Sequence, residues 1–327
     1  MMQNLREETA SPNNEGILRR AIRAAIPQGT RTSVWLLKLT IPVSFAVFLI
    51  DYLGILAEIA RLVAPFFNWF GLSGSASVVL ITSFFTNIYS SIAVMSTLGI
   101  PAREGLILAN MCLIAHALIV ETGIQRKTGS SALRMILVRL SASFLAAWLL
   151  NLVLPAQPGE ILSGSAPVQQ NFTAAFLDWL KAISITSIKI VVLVNLLLIV
   201  QKLLSELKVL EWLVKPLHPL LRVMGLPSQT GFLWMVAYTL GLSYGGAIMI
   251  SQSEEGKLSR EEADLLNHHI AISHSQLEDP LLFVAVGFSI PWLIFPRFFL
   301  ALLYVWARRF ELYLRQRSHS YAQPVSG

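Results

Sequence analysis

GLSGSASVVLITSFFTNIYSSIAVM, residues Gly71 to Met95, and GLPSQTGFLWMVAYTLGLSYGGAIM, residues Gly225 to Met249, decide the architecture of this chain. They align without a gap at an offset of 154, pairing Gly71 with Gly225, Leu72 with Leu226, Ala93 with Ala247 and Met95 with Met249. Four residues are then inserted in the second stretch, and the likeness resumes at an offset of 158. Glu104 now meets Glu262, Leu108 meets Leu266, His116 meets His274 and Glu121 meets Asp279. Both stretches lie in strongly apolar sequence. A duplicated membrane unit is a common way to build a transporter, with the solute site where the copies meet.

The chain has 327 residues, 54% of them hydrophobic and only 13% charged. Soluble domains carry about 25% charged residues. Several apolar segments approach or exceed the roughly 20 residues that cross a bilayer. These numbers give an all-α, polytopic membrane helical bundle. The net charge of +6 fits Lys- and Arg-rich cytoplasmic segments better than a nucleic-acid partner. A single cysteine, Cys112, excludes an intrachain disulfide framework and reads as a buried, inert thiol. The first 30 residues are polar and lack an early apolar core, so the first span is expected to act as the insertion signal. No phosphate-binding glycine loop is recognisable, which points away from ATP-driven work.

Hydropathy divides the chain into a cytoplasmic basic arm (1–32), a first membrane repeat (33–155), an external linker (156–175), a second membrane repeat (176–307) and a cytoplasmic tail (308–327). In the arm, Ile17 to Ile26, ILRRAIRAAI, reads either as a basic amphipathic helix on the anionic inner leaflet or as an ordinary solvated helix. The first span is expected over 34–56, with a short interfacial helix over 57–69. The next span is expected over 132–154, and the second half repeats the plan.

Arg19, Arg20, Arg23 and Arg31 mark the arm as cytoplasmic, and Arg308, Arg309, Arg315 and Arg317 mark the tail. Arg126, Lys127, Arg134 and Arg139 do the same for the 123–139 region, whereas the linker over 155–175 has no Lys or Arg. The first half therefore starts inside and ends outside, the second does the reverse, and the repeat is inverted. Four apolar segments per half would give an even number of crossings. The Gly71–Gly99 segment, rich in Gly, Ser, Thr and Asn, is thus expected to be broken or re-entrant. Irregular backbone at membrane depth is tolerated only when buried in protein or lining a cavity.

Ionisable residues inside spans are expensive and face a cavity or a partner. Those here are His116 and Glu121 in the first half and His268, His269, His274, Glu278 and Asp279 in the second. Asn110 and Glu121 are eleven residues apart, as are Asn267 and Glu278, which on one helix is about three turns and a shared face. His274 and Glu278 join that face, while His116 points elsewhere, so a register matching the Asn–Glu pairs competes with one matching the histidines. The cluster reads as a polar lining for a small solute or a proton relay, as a transition-metal site, or as a structural pair locking the bundle. Asn87, Tyr89 and Ser90 in the first core copy, and Ser243 and Tyr244 in the second, offer neutral hydrogen bonds to a solute. The glycines read first as close helix packing. Ser273, His274 and Ser275 beside Glu278 and Asp279 could suggest a hydrolase, but no nucleophile elbow accompanies them.

HALIVET at His116 to Thr122, HSQLEDP at His274 to Pro280, and the polar Gly/Ser-rich segment before each resemble the nucleoside-recognition, or Gate domain, family over about 70–155 and 225–307. Its relatives include membrane parts of concentrative nucleoside transporters, ferrous-iron transport B proteins and spore maturation membrane proteins. The resemblance implies a permease-like protein of the cell inner membrane, with no enzymatic activity and no cofactor. Its partners would be the lipid bilayer and a small polar, nucleoside-like solute or an ion, and a homo-oligomer is compatible with it. Two alternatives stand beside this reading: a transition-metal ion permease, and a non-transporting membrane partner in envelope or spore assembly.

Overall fold

The computed structural model describes residues 17–155, 171–207 and 217–321. Among these the regular structure is helical, with no strand. The first half comprises α1 (Ile17–Tyr52), α2 (Ile55–Asn68), α3 (Ala76–Phe85), α4 (Ile88–Thr97), α5 (Ala102–Ala115), α6 (Leu118–Lys127) and α7 (Ala132–Val153). The second comprises α8 (Phe172–Glu206), α9 (His218–Val223), a 3-10 turn (Ser228–Thr230), α10 (Gly231–Leu240), α11 (Leu242–Glu254), α12 (Arg260–Ile270), α13 (Asp279–Val284) and α14 (Ile290–Tyr321).

Five of these segments are long and apolar enough to cross a membrane: Arg19–Tyr52, Ala102–Lys127, Ala132–Val153, Phe172–Val200 and Ile290–Arg317. Large apolar side chains stand exposed on their outer faces, among them Leu133, Leu137 and Leu152 on α7 and Phe295, Phe299 and Leu303 on α14. Water would make such a surface an aggregation hazard, whereas hydrocarbon is its natural solvent.

The Gly71–Gly99 segment is broken, as its polar content predicts. It forms two ten-residue helices, α3 and α4, each about 15 Å long against a hydrocarbon core of about 30 Å. The second copy breaks at the matching place, between α10 and α11 at Gly241, whose φ of 96° is open to glycine but strained for other residues.

Two of the boundaries drawn from hydropathy fall inside continuous helices. The arm from Ile17 onward is continuous with the first span in a single helix that contains Pro27 and Pro42. Pro27 and Gly29 near the expected boundary do not end the helix, and α1 is held along its length against α8. The approach is close enough that a Cβ on Gly29 would lie 2.3 Å from Asn195 Oδ1. Likewise, Arg308, Arg309, Arg315 and Arg317 extend α14 rather than forming a separate tail. The start of the arm, most of the linker, residues 208–216 of the second repeat and the end of the tail lie outside the described residues.

The halves meet over several surfaces, α1 along α8 being the most extensive, and a small apolar seam lies next to the helix breaks. Ile114, Val138, Ala142 and Ala146 from the first pack with Ala271, Ile272, Leu300 and Ala301 from the second. Ile114 with Ile272, and Ala142 with Leu300, are partners at the offset of 158. A further contact between the halves brings α6 against α11, where a Cβ on Gly246 would fall 2.2 Å from Ile124 Cγ2. The close-packing reading of the glycines fits this position.

Candidate functional site

The site is made by helix breaks. α5 stops at Ala115, His116 is extended, Ala117 is left-handed at φ 43°, and α6 begins at Leu118. In the second half α12 stops at Ile270, Ser275 is left-handed at φ 50°, and α13 begins at Asp279. A break strands amides and carbonyls that hydrocarbon cannot solvate. Each half meets this demand in the same way. Ala117 N donates to Ser83 O at 2.9 Å, and Ser275 N donates to Ala237 O at 3.1 Å. Ser83 and Ala237 lie four residues before Asn87 and Gly241, where α3 and α10 have ended, so their carbonyls lack the usual helical partner.

The freed carbonyls are taken by two buried arginines. Arg139 donates from Nε to Ile114 O at 2.8 Å and from Nη2 to His116 O at 2.6 Å. Arg297 donates from Nε to Ile272 O at 3.1 Å and from Nη2 to His274 O at 2.7 Å. Both are 0% exposed, and they stand 158 residues apart. Arg139 was expected among the loop cations of 123–139, and that expectation is corrected: it lies inside α7 and braces the break. A charge in an apolar helix matched by another at the repeat offset was the signal that identifies both arginines.

The breaks bring His116, Glu121 and His274 together. Glu121 Oε1 lies 3.1 Å from His116 Nε2 and 3.2 Å from His274 Nε2. Its other oxygen pairs with Arg139 Nη2 at 2.7 Å. Asp279 Oδ2 stands 3.8 Å from His116 Nε2. The imidazoles face each other with centroids 5.2 Å apart. Each ring is oriented from behind: His116 Nδ1 meets Cys112 O at 3.0 Å, and His274 Nδ1 meets Ile270 O at 2.7 Å. Tyr89 extends the cluster by donating its hydroxyl to Glu278 Oε1 at 3.1 Å.

This geometry replaces the expected polar stripe. Asn267, His274 and Glu278 do not share one helix face, because the chain leaves the helix between the first and the other two. His116 does not point elsewhere, and the histidine register rather than the Asn–Glu register describes the contacts. Asn110 and Asn267 act as fasteners. The Asn110 amide donates to Leu106 O and Trp292 O, both at 3.0 Å. The Asn267 amide donates to Thr128 Oγ1 at 2.8 Å and Ser130 Oγ at 2.9 Å.

The core-copy candidates divide. Asn87 caps α4 by accepting from Ser90 N at 2.9 Å, so its oxygen has a structural use. The Ser90 hydroxyl meets Thr40 Oγ1 at 3.2 Å, facing α1. Tyr244 is 43% exposed and accepts from Gln28 Nε2 at 2.9 Å, which takes it to α1 rather than to the histidines. Ser243 lies in α11, with its side chain outside the described residues. His268 meets Asp264 O at 2.7 Å, and His269 accepts the Trp234 indole N–H at 3.2 Å. Cys112 is 0% exposed, as expected for an inert thiol.

The chain is a polytopic helical membrane protein, and its residues 33–150 match the model of the Gate family, described as nucleoside recognition. The match bears out the resemblance in the first half, where HALIVET lies, and extends it back into α1; it does not reach the 225–307 part that carries HSQLEDP. The chain is also 27% identical over 278 residues to a Bacillus subtilis (strain 168) protein, "Uncharacterized membrane protein YvoD". That alignment covers 84% of this chain and 89% of the relative. No solved structure matches.

Proposed function

We propose that the protein is a permease of the inner membrane that moves or gates a small polar solute or an ion, by alternating access between two repeats of opposite orientation. The observation that carries this reading is the meeting of the two breaks, where His116 and Glu121 of one half face His274 of the other. Broken helices whose polar groups converge at the interface of two repeats are how secondary transporters build a solute site within a bilayer. Polar groups at that depth are unfavourable unless function or pairing retains them. The shared offsets of the histidines, the arginines and the left-handed residues support descent from one duplicated unit. The absence of Lys and Arg from the linker over 155–175 supports inversion.

The test is uptake into vesicles reconstituted with the full chain, across a panel of nucleosides, other small polar solutes and ions. Uptake that requires His274 supports the reading. An absence of uptake for every solute, from protein that is folded and inserted, removes it in favour of a non-transporting membrane role.

A further inference from the structure

We propose that His116, Glu121 and His274 bind one divalent transition-metal cation, with Asp279 standing beside His116. Its role as cargo rests on the permease reading, whereas the binding itself does not.

The inference begins with hydrogen placement. Both Nδ1 atoms face carbonyl oxygens, which only accept, so each Nδ1 carries the hydrogen. In a neutral ring Nε2 is then a lone pair. Both Nε2 atoms face Glu121 Oε1, which is also an acceptor. Asp279 Oδ2 is buried without a hydrogen-bond partner and faces His116. Three lone-pair atoms therefore converge, with Asp279 Oδ2 beside His116, at residues that are 9% exposed or less. Such a group requires a positive centre, either a proton on a ring or a metal ion.

The distances fit the metal, and the chemistry of the donor set favours it. Charge-assisted N–H to carboxylate bonds draw in to about 2.7–2.9 Å. The two contacts at 3.1 and 3.2 Å are longer. Metal–ligand bonds of about 2.1 Å meeting at about 90–110° set neighbouring donor atoms about 3.0–3.4 Å apart. One ligand atom from each of His116, Glu121 and His274 lies within 4.8 Å of the others. Imidazole with carboxylate suits zinc, iron or manganese, whereas calcium and magnesium prefer all-oxygen shells. The second shell is already built, with a backbone carbonyl behind each ring and Arg139 behind the carboxylate. The guanidinium also tempers the charge of Glu121, which suits a site that must release its ion.

The experiment uses the tag-free full chain in detergent, stripped with a chelator and titrated with cobalt(II). One equivalent should bind, with visible d–d bands that zinc(II) abolishes. His116→Ala and His274→Ala should each weaken binding by about tenfold or more. Because either variant could misfold, X-ray absorption on the zinc-loaded wild type provides a second reading and should report two imidazoles in the first shell. A folded wild type that binds no stoichiometric metal overturns the proposal, as does a shell without imidazole or unchanged affinity in a folded double-histidine variant. Stoichiometric binding without metal uptake by vesicles upholds the site and removes metal as the cargo. Solute uptake by protein that binds no metal overturns the site and leaves the permease reading intact.

Discussion

Arg139→Met tests the break architecture directly. The side chain is 0% exposed and serves three groups at once: Ile114 O, His116 O and the Glu121 carboxylate. Methionine fills much of the volume and serves none of them. Each stranded carbonyl should cost about 1–3 kcal/mol. Leaving a buried carboxylate unpaired should cost about 3–5 kcal/mol. These losses overlap because one group supplies all three contacts, so we expect a total of about 4 kcal/mol or more. Arg297→Met strands only Ile272 O and His274 O among its described bonds, and should cost about 2–4 kcal/mol. Arg139→Lys keeps the charge but cannot span two carbonyls with one planar fork, so it should fall between wild type and Arg139→Met. Reversible unfolding in mixed micelles measures all three. A cycle with Glu121→Gln isolates the ion pair, and the double variant should lose about 1–3 kcal/mol less than the sum of the singles. Wild-type stability in Arg139→Met refutes the reasoning, as does an equal loss with and without Glu121→Gln.

Three further outcomes are expected. Single cysteines in 123–131 and in 155–175, placed in a Cys112→Ser background, should label from opposite faces of the membrane, and labelling of both from one face would contradict inversion. His274→Ala and Glu278→Gln should abolish uptake while the protein still inserts and elutes as a folded species; uptake that survives both would sink the transport reading. Gly246→Ala puts a Cβ 2.2 Å from Ile124 Cγ2 and should destabilise by about 1–3 kcal/mol, with Ile124→Ala restoring much of the loss in a thermal melt.

The helical class, the broken core copies and the participation of His116, Glu121 and His274 were legible in sequence. Composition and the two offsets carry them. The breaks at His116 and Ser275 were not legible, because the usual punctuation is missing. No glycine or proline stands at 116–118 or 274–276, and the left-handed positions are alanine and serine. What stabilises these breaks is remote, an arginine 23 residues onward in each half. A helical stripe drawn through Asn267, His274 and Glu278 fails for the same reason, since it assumes a helix where the chain has turned. Asn87 misleads differently. An amide in an apolar segment reads as a ligand for solute, yet a helix that starts in mid-membrane needs a cap, and Asn87 provides it.

The bonds from Ala117 N to Ser83 O and from Ser275 N to Ala237 O give the molecule a mechanical character. Each ties one break to the other within a half, and the arginine forks tie the second break to the helix that follows. Sliding these segments past one another would expose backbone groups to hydrocarbon, at several kcal/mol each. Each half is therefore a stiff plate. Between the halves Asn110 and Asn267 are fasteners, to Trp292 O and to Thr128 and Ser130, whereas Tyr89 to Glu278 and His274 to Glu121 are contacts between side chains that rotamer changes can remake. His116 and Glu121 belong to the same half, so their 3.1 Å separation lies within one plate, whereas the 3.2 Å from Glu121 to His274 spans the two.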